Sequence, residues 1–575
     1  MKFQPIYDIA EICFRHGITQ AVLCPGSRCA PLTLAFVRHS KITARTFSDE
    51  RSAAFIGLGI AQETNSPVAL VCTSGSAAFN FAPAVAEAYF QQIPLLIFTA
   101  DRAPEWIDQH DGQTIHQPDV YGTHVKKSYN LPQLDDHPDT AWHINRIVNE
   151  AIQLSREFPC GPIHINAAFR EPFYPAQGEV ISFSKEPRII ESISITPVVG
   201  DTDISQLKQK LNSFNKVLVV AGQHDYDEGL IKSLEKFSKH QKVSVVGDII
   251  SNQHALSHTV RHADVFLGQC GDDVRKSLRP ELLITFGKSV ISKNLKVFLR
   301  QHKAIEHWHV QLHGAVADTF QSITKNIATS PALFFDSLSD TIKNSDFETQ
   351  KRENYFRLWE AEEHRTQRSL KSFFSTTAWG EFYLIHELIK SLPPRCNLHL
   401  ANSMTVRYAN FISLEAGKKG IHVFSNRGTS GIDGCTSTAV GHALISEVPN
   451  FLITGDMAFF YDRNAFWHNY EVPNLHIFLI NNHGGIIFNL IDGPSSLPEL
   501  DQFFVTEQKL SGKALASEFN FDYSKIETLK QTKNAIKHFL EFDGRTKVLE
   551  IDTDRSVNKS IFDKFLQHVK KGYET

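Results

Sequence analysis

The 575-residue chain predicts an α/β protein of three doubly wound domains, each built on a parallel sheet. Three observations carry this expectation. Short apolar runs recur along the whole chain and end in small or polar residues, as strands buried on both faces do. Helical patterns alternate with those runs. The length also exceeds what one hydrophobic core supports, at roughly 100–200 residues per domain.

In the first unit, residues 1–180, the runs are AVLCPGS from Ala21, VALVCTSGS from Val68, PLLIFTAD from Pro94 and PIHIN from Pro162. Helical stretches such as ERSAAFIGLGIAQE and AAFNFAPAVAEAYFQQ lie between them. The second unit, 181–345, contains KVLVVAG from Lys216, KVSVVGD from Lys242, ELLITFG from Glu281 and HWHVQ from His307. The segment from Asn344 to Arg368 mixes charge signs without sustained heptads and reads as a solvated connecting helix. The third unit, 346–575, contains NLHLANS, IHVFSNRG, NFLITGD, LHIFLINN and KVLEIDTD. The first and third units look alike, which suits two related half-sites facing each other.

Composition narrows the function. Hydrophobic residues at 42% and charged residues at 21% are ordinary for a chain that buries ample apolar surface. The 59 basic and 63 acidic residues are well mixed, so no basic field exists for a nucleic acid. Acidic residues in MKFQPIYDIAEICFRHG interrupt the apolar run that a secretory peptide needs, and no stretch is long enough to span a membrane. A cytoplasmic protein is expected, without membrane insertion. The eight cysteines lack the short paired spacings of a zinc site and read as reduced, mostly buried thiols.

The strongest local signal is Gly455-Asp456 closing one run, followed 26 residues later by Asn481-Asn482 closing another and then by His483-Gly484. Ligands of open α/β sheets sit beyond the carboxyl ends of strands. A carboxylate, an amide oxygen and a backbone carbonyl converging there make a hard oxygen set for Mg²⁺, whose remaining ligands are typically water and phosphate. Either dipeptide alone is an ordinary turn; their pairing at two strand ends is the signal.

Other segments are weaker alone. Glu50 opens a small-residue helix, where a surface charge compensating the helix dipole is the common reading. SNRGTSGIDG is a glycine-rich turn. Five cations stand at or just beyond run ends: Arg28 after Ser27, Arg102, Lys293, Arg407 after Ser403, and Arg427. Arginines suit bidentate recognition of carboxylates, although each alone reads equally as an ordinary salt bridge.

The Gly-Asp and Asn-Asn pair resembles the fingerprint of thiamine-diphosphate-dependent enzymes. Together, PGSR, TFSDERSAAF, TSGSAAFNFAPAVAEA, TADRAPE, NSM-x-x-R and SNRGTSGIDG resemble, within them, the 2-succinyl-5-enolpyruvyl-6-hydroxy-3-cyclohexene-1-carboxylate synthase family over nearly the full chain. This resemblance implies the three-domain fold of thiamine-diphosphate enzymes, with Asp456, Asn482 and the Gly484 carbonyl holding Mg²⁺ or Mn²⁺ against the diphosphate of thiamine diphosphate. It implies that Glu50 bonds the aminopyrimidine N1′ as a proton relay, that Ile432 props the cofactor into a bent shape, and that Ile487 and Phe488 pack near its thiazolium; plain helix core is the alternative for the last two. The implied reaction is decarboxylation of 2-oxoglutarate and 1,4-addition of the resulting carbanion to isochorismate, in menaquinone biosynthesis. Ser403, Arg407 and Arg427 are implied to bind the oxoglutarate-derived part. Ser27, Arg28, Arg102, Gln113 and Lys293 are implied to face isochorismate, with Gln113 joining Glu50 as a catalytic candidate. A homodimer or homotetramer with active sites between subunits is implied as well.

Three departures stand out: Met457 after the aspartate, where many relatives have a small residue, Gly112 before the glutamine, and Asn294 beside Lys293. His110, His116 and His483 receive no catalytic role. The competing readings are another thiamine-diphosphate carboligase or 2-oxoacid decarboxylase, and a non-catalytic nucleotide-binding protein on doubly wound domains.

Overall fold

The computed structural model describes residues 3–574 apart from 194, 340–345, 377–378 and 492. The boundary expected at 345/346, and the start of the connecting segment at Asn344, abut or lie among residues outside those described.

Three six-stranded sheets, all parallel, form the frame. The first contains β1 (Gln20–Leu23), β2 (Thr43–Thr46), β3 (Val68–Cys72), β4 (Leu95–Arg102), β5 (Lys127–Asn130) and β6 (Ile163–Phe169), in the order β2-β1-β3-β4-β6-β5. The second contains β7 (Val217–Ala221), β8 (Ser244–Gly247), β9 (Thr259–Val260), β10 (Leu282–Phe286), β11 (Glu306–Gln311) and β12 (Lys325–Ala328), in the order β12-β11-β10-β7-β8-β9. The third contains β13 (Cys396–Leu400), β14 (Ile421–Phe424), β15 (Asn450–Gly455), β16 (Leu475–Asn481), β17 (Asp522–Ile526) and β18 (Lys547–Asp552), in the order β14-β13-β15-β16-β18-β17. The first and third sheets therefore share one strand order, and the second winds differently. Central strands such as β3, β7 and β10 are buried at every residue, because helices cover both faces of each sheet.

One helix pair locks the first unit to the third. Gly59, on the helix Glu50–Thr64, faces Gly441, on the helix Cys435–Ala443. A Cβ at Gly59 would lie 2.1 Å from the Thr438 carbonyl oxygen, and one at Gly441 would lie 2.2 Å from that of Ile56. The helices touch backbone to backbone, which the small residues in both segments allow. Glu63 extends the contact by accepting a hydrogen bond from His442 at 2.9 Å.

The charged connecting segment is helical over Asp346–Ser375, but it is not solvated throughout. Trp359 and Tyr355 are buried, and Arg352 donates to the Phe214 carbonyl at 2.9 Å. Glu363 is buried too; it accepts from the backbone N–H groups of Arg261 and His262 at 3.1 and 3.0 Å and faces His262 Nδ1 at 2.7 Å. The mixed charge hid a helix whose acids and arginines are committed to the second unit. Among the described residues, no helix is long and apolar enough to cross a membrane. All eight cysteines are free, and only Cys160 is not buried.

Burial alone would raise the Glu363 carboxyl, but His262 and Arg261 overcome it and hold the group down to about 2. A depressed carboxylate stabilises the fold above its ordinary value, and that stability is lost as pH falls through about 2. Denaturant unfolding of the wild type is therefore expected to lose up to about 3 kcal/mol from this group between about pH 5 and about pH 2. Glu363→Gln should be less stable near neutrality and lose that acid-side slope.

Candidate active site

A cavity of about 410 Å³ opens beyond the carboxyl ends of the third sheet. Four strand ends furnish it: Ser403 and Arg407 follow β13, Arg427 and Ile432 follow β14, Asp456 follows β15, and Asn482, Gly484, Ile487 and Phe488 follow β16. Strand parallelism gathers these segments, since every chain exit lies on the same edge.

Asp456 is only 2% exposed, and burial raises its carboxyl. Asn482 is buried beside it, with its Nδ2 donating to Glu381 Oε2 at 3.0 Å. That bond commits the amide nitrogen and leaves Asn482 Oδ1 buried without a hydrogen-bond partner among the described residues. Gly484 sits at φ 155°, where a Cβ would press to 2.8 Å from Val505 Cγ1 and 2.9 Å from its carbonyl oxygen. Only glycine lets the chain turn there. Ile487 and Phe488 are half-buried and line the cavity, and Ile487 packs against the core of the third unit as well.

The cavity also gathers positive charge. Ser403 adopts φ 71°, a conformation costly for a residue with a side chain, and begins the nine-residue helix Met404–Ile412. Its carbonyl accepts from Arg407 Nη1 at 2.5 Å. Arg427 Nη1 donates to Asn402 Oδ1 at 2.8 Å, while its Nε is buried without a partner. Burial lowers both guanidinium groups, and Arg427 is lowered further by its neighbour Arg407. Among the described residues, neither is in an ion pair. Asp264 supports the Arg407 charge, and Glu87 and Asp248 that of Arg427, from outside ion-pair distance; two desolvated cations without a direct counter-ion can accept a carboxylate or another compact anion.

Four other predicted residues meet on the rim of the first sheet. Ser27 and Arg28 follow β1, Arg102 ends β4, and Gln113 lies in the loop beyond, at φ 57°. Arg28 donates to the Phe169 carbonyl at 3.1 Å and lies over the Phe173 ring. Arg102 pairs with Asp111 at 2.8 Å and donates to the Gly112 carbonyl at 2.8 Å. Burial and then the nearby Arg102 lower Arg28. Glu50 opens its helix and accepts from Asn80 at 3.3 Å; it does not line the cavity of its own chain. Lys293 is exposed at the start of the helix Lys293–Gln301. The neighbouring Asn294 is engaged elsewhere, donating from its side chain to the Asp264 carbonyl at 2.8 Å.

Sequence reasoning missed two polar residues here, Glu381 and Gln508, and gave a third, Asn402, no role. Glu381 is fully enclosed, and its carboxyl is raised to about 7 by burial, against the Asn482 bond and reinforced by Asp456. Gln508 donates to Asp456 Oδ2 at 2.6 Å and to Asn481 Oδ1 at 3.0 Å. Asn402 donates to the Asn426 and Gly431 carbonyls, each at 2.6 Å. Glu381 and Gln508 belong to no motif and lie far along the chain from Asp456. Asn402, by contrast, stood at a strand end next to Ser403 and was within reach of the strand-end argument.

Comparison with known proteins matches residues 7–120 to the "Thiamine pyrophosphate enzyme, N-terminal TPP binding domain" family and residues 185–400 to the "Middle domain of thiamine pyrophosphate" family. Full-length relatives are named 2-succinyl-5-enolpyruvyl-6-hydroxy-3-cyclohexene-1-carboxylate synthase. The one from Cytophaga hutchinsonii is 42% identical over 99% of this chain and 100% of its own. Those from Bacteroides thetaiotaomicron and Flavobacterium johnsoniae are 37% and 36% identical, each over 98% of this chain and covering 99% and 98% of their own lengths.

Because Arg407 and Arg427 repel each other in the ligand-free protein, Arg427→Met should raise its thermal midpoint by about 2 °C. The same change should abolish stabilisation by an added dicarboxylate. Thermal unfolding with and without the dianion checks both, and an unchanged or lowered ligand-free midpoint contradicts the repulsion.

Proposed function

The chain belongs to the 2-succinyl-5-enolpyruvyl-6-hydroxy-3-cyclohexene-1-carboxylate synthase family of thiamine pyrophosphate enzymes, and from that premise we propose how its own residues divide the work. It is a thiamine-diphosphate-dependent synthase of menaquinone biosynthesis. We infer that 2-oxoglutarate is the donor and isochorismate the acceptor. The observation that carries the reading is the cavity in which Asp456 and Asn482 Oδ1 stand with two arginines, the amide oxygen without a hydrogen-bond partner and the arginines outside any ion pair among the described residues.

The residues at the β15 and β16 ends suit a divalent metal. One buried carboxylate, one amide oxygen with its nitrogen already committed, and a glycine carbonyl form an oxygen set suited to Mg²⁺ or Mn²⁺. Asp456, Asn482 and Gly484 would hold the ion against the cofactor's diphosphate, and Ile432, Ile487 and Phe488 would wall its rings. When bound, thiamine diphosphate supplies the carbon nucleophile and the electron sink for decarboxylation.

The remaining work falls to side chains. Arg407 and Arg427, with the Ser403 turn, neutralise the carboxylate that 2-oxoglutarate retains after losing CO₂, and hold it at fixed distance from the reacting carbon. Ser27, Arg28, Arg102, Gln113 and Lys293 form the isochorismate side, where Arg28 and Arg102 meet that substrate's carboxylates. Glu50 holds and moves a proton at the aminopyrimidine nitrogen. Since Glu50 does not line the cavity of its own chain, the active unit is an assembly of two or four copies in which each cavity receives Glu50 from a neighbour. A cytoplasmic location fits this chemistry.

Two variants test the reading together. Glu50→Gln, assayed with thiamine diphosphate, Mg²⁺, 2-oxoglutarate and isochorismate, should lose about 10²-fold or more in isochorismate consumption. Asp456→Ala should lose Mg²⁺-dependent cofactor binding by calorimetry. Undiminished turnover in the first removes the proton-relay role, and unchanged binding in the second removes the metal site.

A further inference from the structure

Arg427 is the one residue of the 425–431 segment whose side chain enters the cavity as a cation, and its neighbours are pinned on every side. Ser425 Oγ donates to the Leu400 carbonyl at 2.8 Å, and the Asn426 and Gly431 carbonyls accept from Asn402. The most buried anchor comes from another domain. Glu87, on the helix Ala82–Gln91 of the first unit, is 0% exposed. Its Oε1 accepts from the Gly428 N–H at 2.8 Å, and its Oε2 accepts from the Thr429 N–H and the Thr429 hydroxyl, each at 2.6 Å. Gln91 donates a further bond to Oε1.

The approach is close enough to depend on glycine. A Cβ at Gly428 would lie 2.7 Å from the Glu87 carbonyl oxygen. The junction includes the second unit as well: Gln223, just after β7, donates to Gln91 Oε1 at 3.1 Å and to the Ser425 carbonyl at 3.0 Å. Lys288 donates to the Gln91 carbonyl at 2.6 Å. Thus one buried polar junction joins three domains at the residues flanking Arg427.

A carboxylate taken wholly out of water is costly unless its oxygens are met by donors, and a hydrophobic staple would join the domains without that cost. Besides supporting the Arg427 charge, the carboxylate adds geometry, since its oxygens fix two successive N–H groups immediately after Arg427. Among the described residues Arg427 itself is tied only to Asn402, with its Nε unpartnered, so its place in the cavity depends on the backbone that carries it.

We propose that Glu87 is a positioning residue for substrate selection: by clamping Gly428 and Thr429 across the domain boundary, it holds Arg427 where the distal carboxylate of the 2-oxo acid binds. The inference rests on the assignment of Arg427 to the oxoglutarate-derived part of the substrate. Glu87→Gln retains the size but presents an –NH₂ group to converging donors, and Thr429→Val removes one donor while leaving both backbone bonds.

The test compares kcat/KM for 2-oxoglutarate with that for 2-oxopentanoate, which carries a methyl group in place of the distal carboxylate. The wild type, Glu87→Gln, Thr429→Val and Arg427→Met are measured with isochorismate as acceptor, alongside amide hydrogen exchange over 425–431. Glu87→Gln should lower the preference for the dicarboxylate about tenfold and Thr429→Val by a smaller factor, with faster exchange at Gly428 and Thr429. A general loss of structure would lower both substrates together and leave the ratio intact. If Arg427→Met collapses the ratio while Glu87→Gln and Thr429→Val leave it unchanged, the positioning role is overturned and the assignment of Arg427 stands. If Arg427→Met itself leaves the ratio unchanged, that assignment fails and the role of Glu87 falls with it. Should Glu87→Gln not fold, Thr429→Val alone decides between these outcomes.

Discussion

The backbone contact between the helices Glu50–Thr64 and Cys435–Ala443 is the constraint on which the arrangement of the molecule depends. Any side chain at Gly59 or Gly441 would overlap a carbonyl oxygen of the opposing helix. Close approach sets the first sheet against the third, brings Glu63 to His442, and lets Glu87 reach the turn after Arg427. Because the same contact fixes the helix that Glu50 begins, it also fixes where Glu50 stands, apart from the cavity of its own chain.

The site itself is held at an energetic cost. Asp456 and Glu381 are carboxyls that burial pushes upward, while burial lowers the guanidinium groups of Arg407 and Arg427. Each shift marks a group whose charge finds less support than it would in water. Such groups cluster where a charged ligand supplies the missing partner. Ser403 adds backbone strain at the same place. Stability is supplied elsewhere, by fully buried strands and by buried polar contacts such as that of Glu363 with His262.

Much of this was legible in the chain because burial on both faces leaves a continuous apolar run. Strands β3, β7, β10 and β16 could be read directly, as could the strand-end residues Asp456, Asn482 and Arg427. The strands that were not read, β2, β5, β9, β12 and β17, all lie at sheet edges. There one side is open and apolar runs are not required; β2 carries the residues TART, none of them buried. The connecting helix was misjudged as solvated for a related reason. Its charges and polar groups are satisfied by distant partners such as Phe214, Arg261 and His262, which a local reading of charge cannot reveal.

By itself, the sequence determined the three doubly wound domains, the family, and the residue types offered at each strand end, because these follow from periodicity and from short local motifs. Tertiary structure alone decided which of those residues share a cavity. It separated Ser403, Arg407, Arg427, Asp456 and Asn482 from Glu50 and from the Arg28–Arg102 rim. It also supplied Glu381, Gln508 and Glu87, whose roles come from hydrogen bonds to residues far away in the chain. The physical reason is that a buried polar group is specified by its partner, and the partner is chosen by packing between domains rather than by neighbours along the chain.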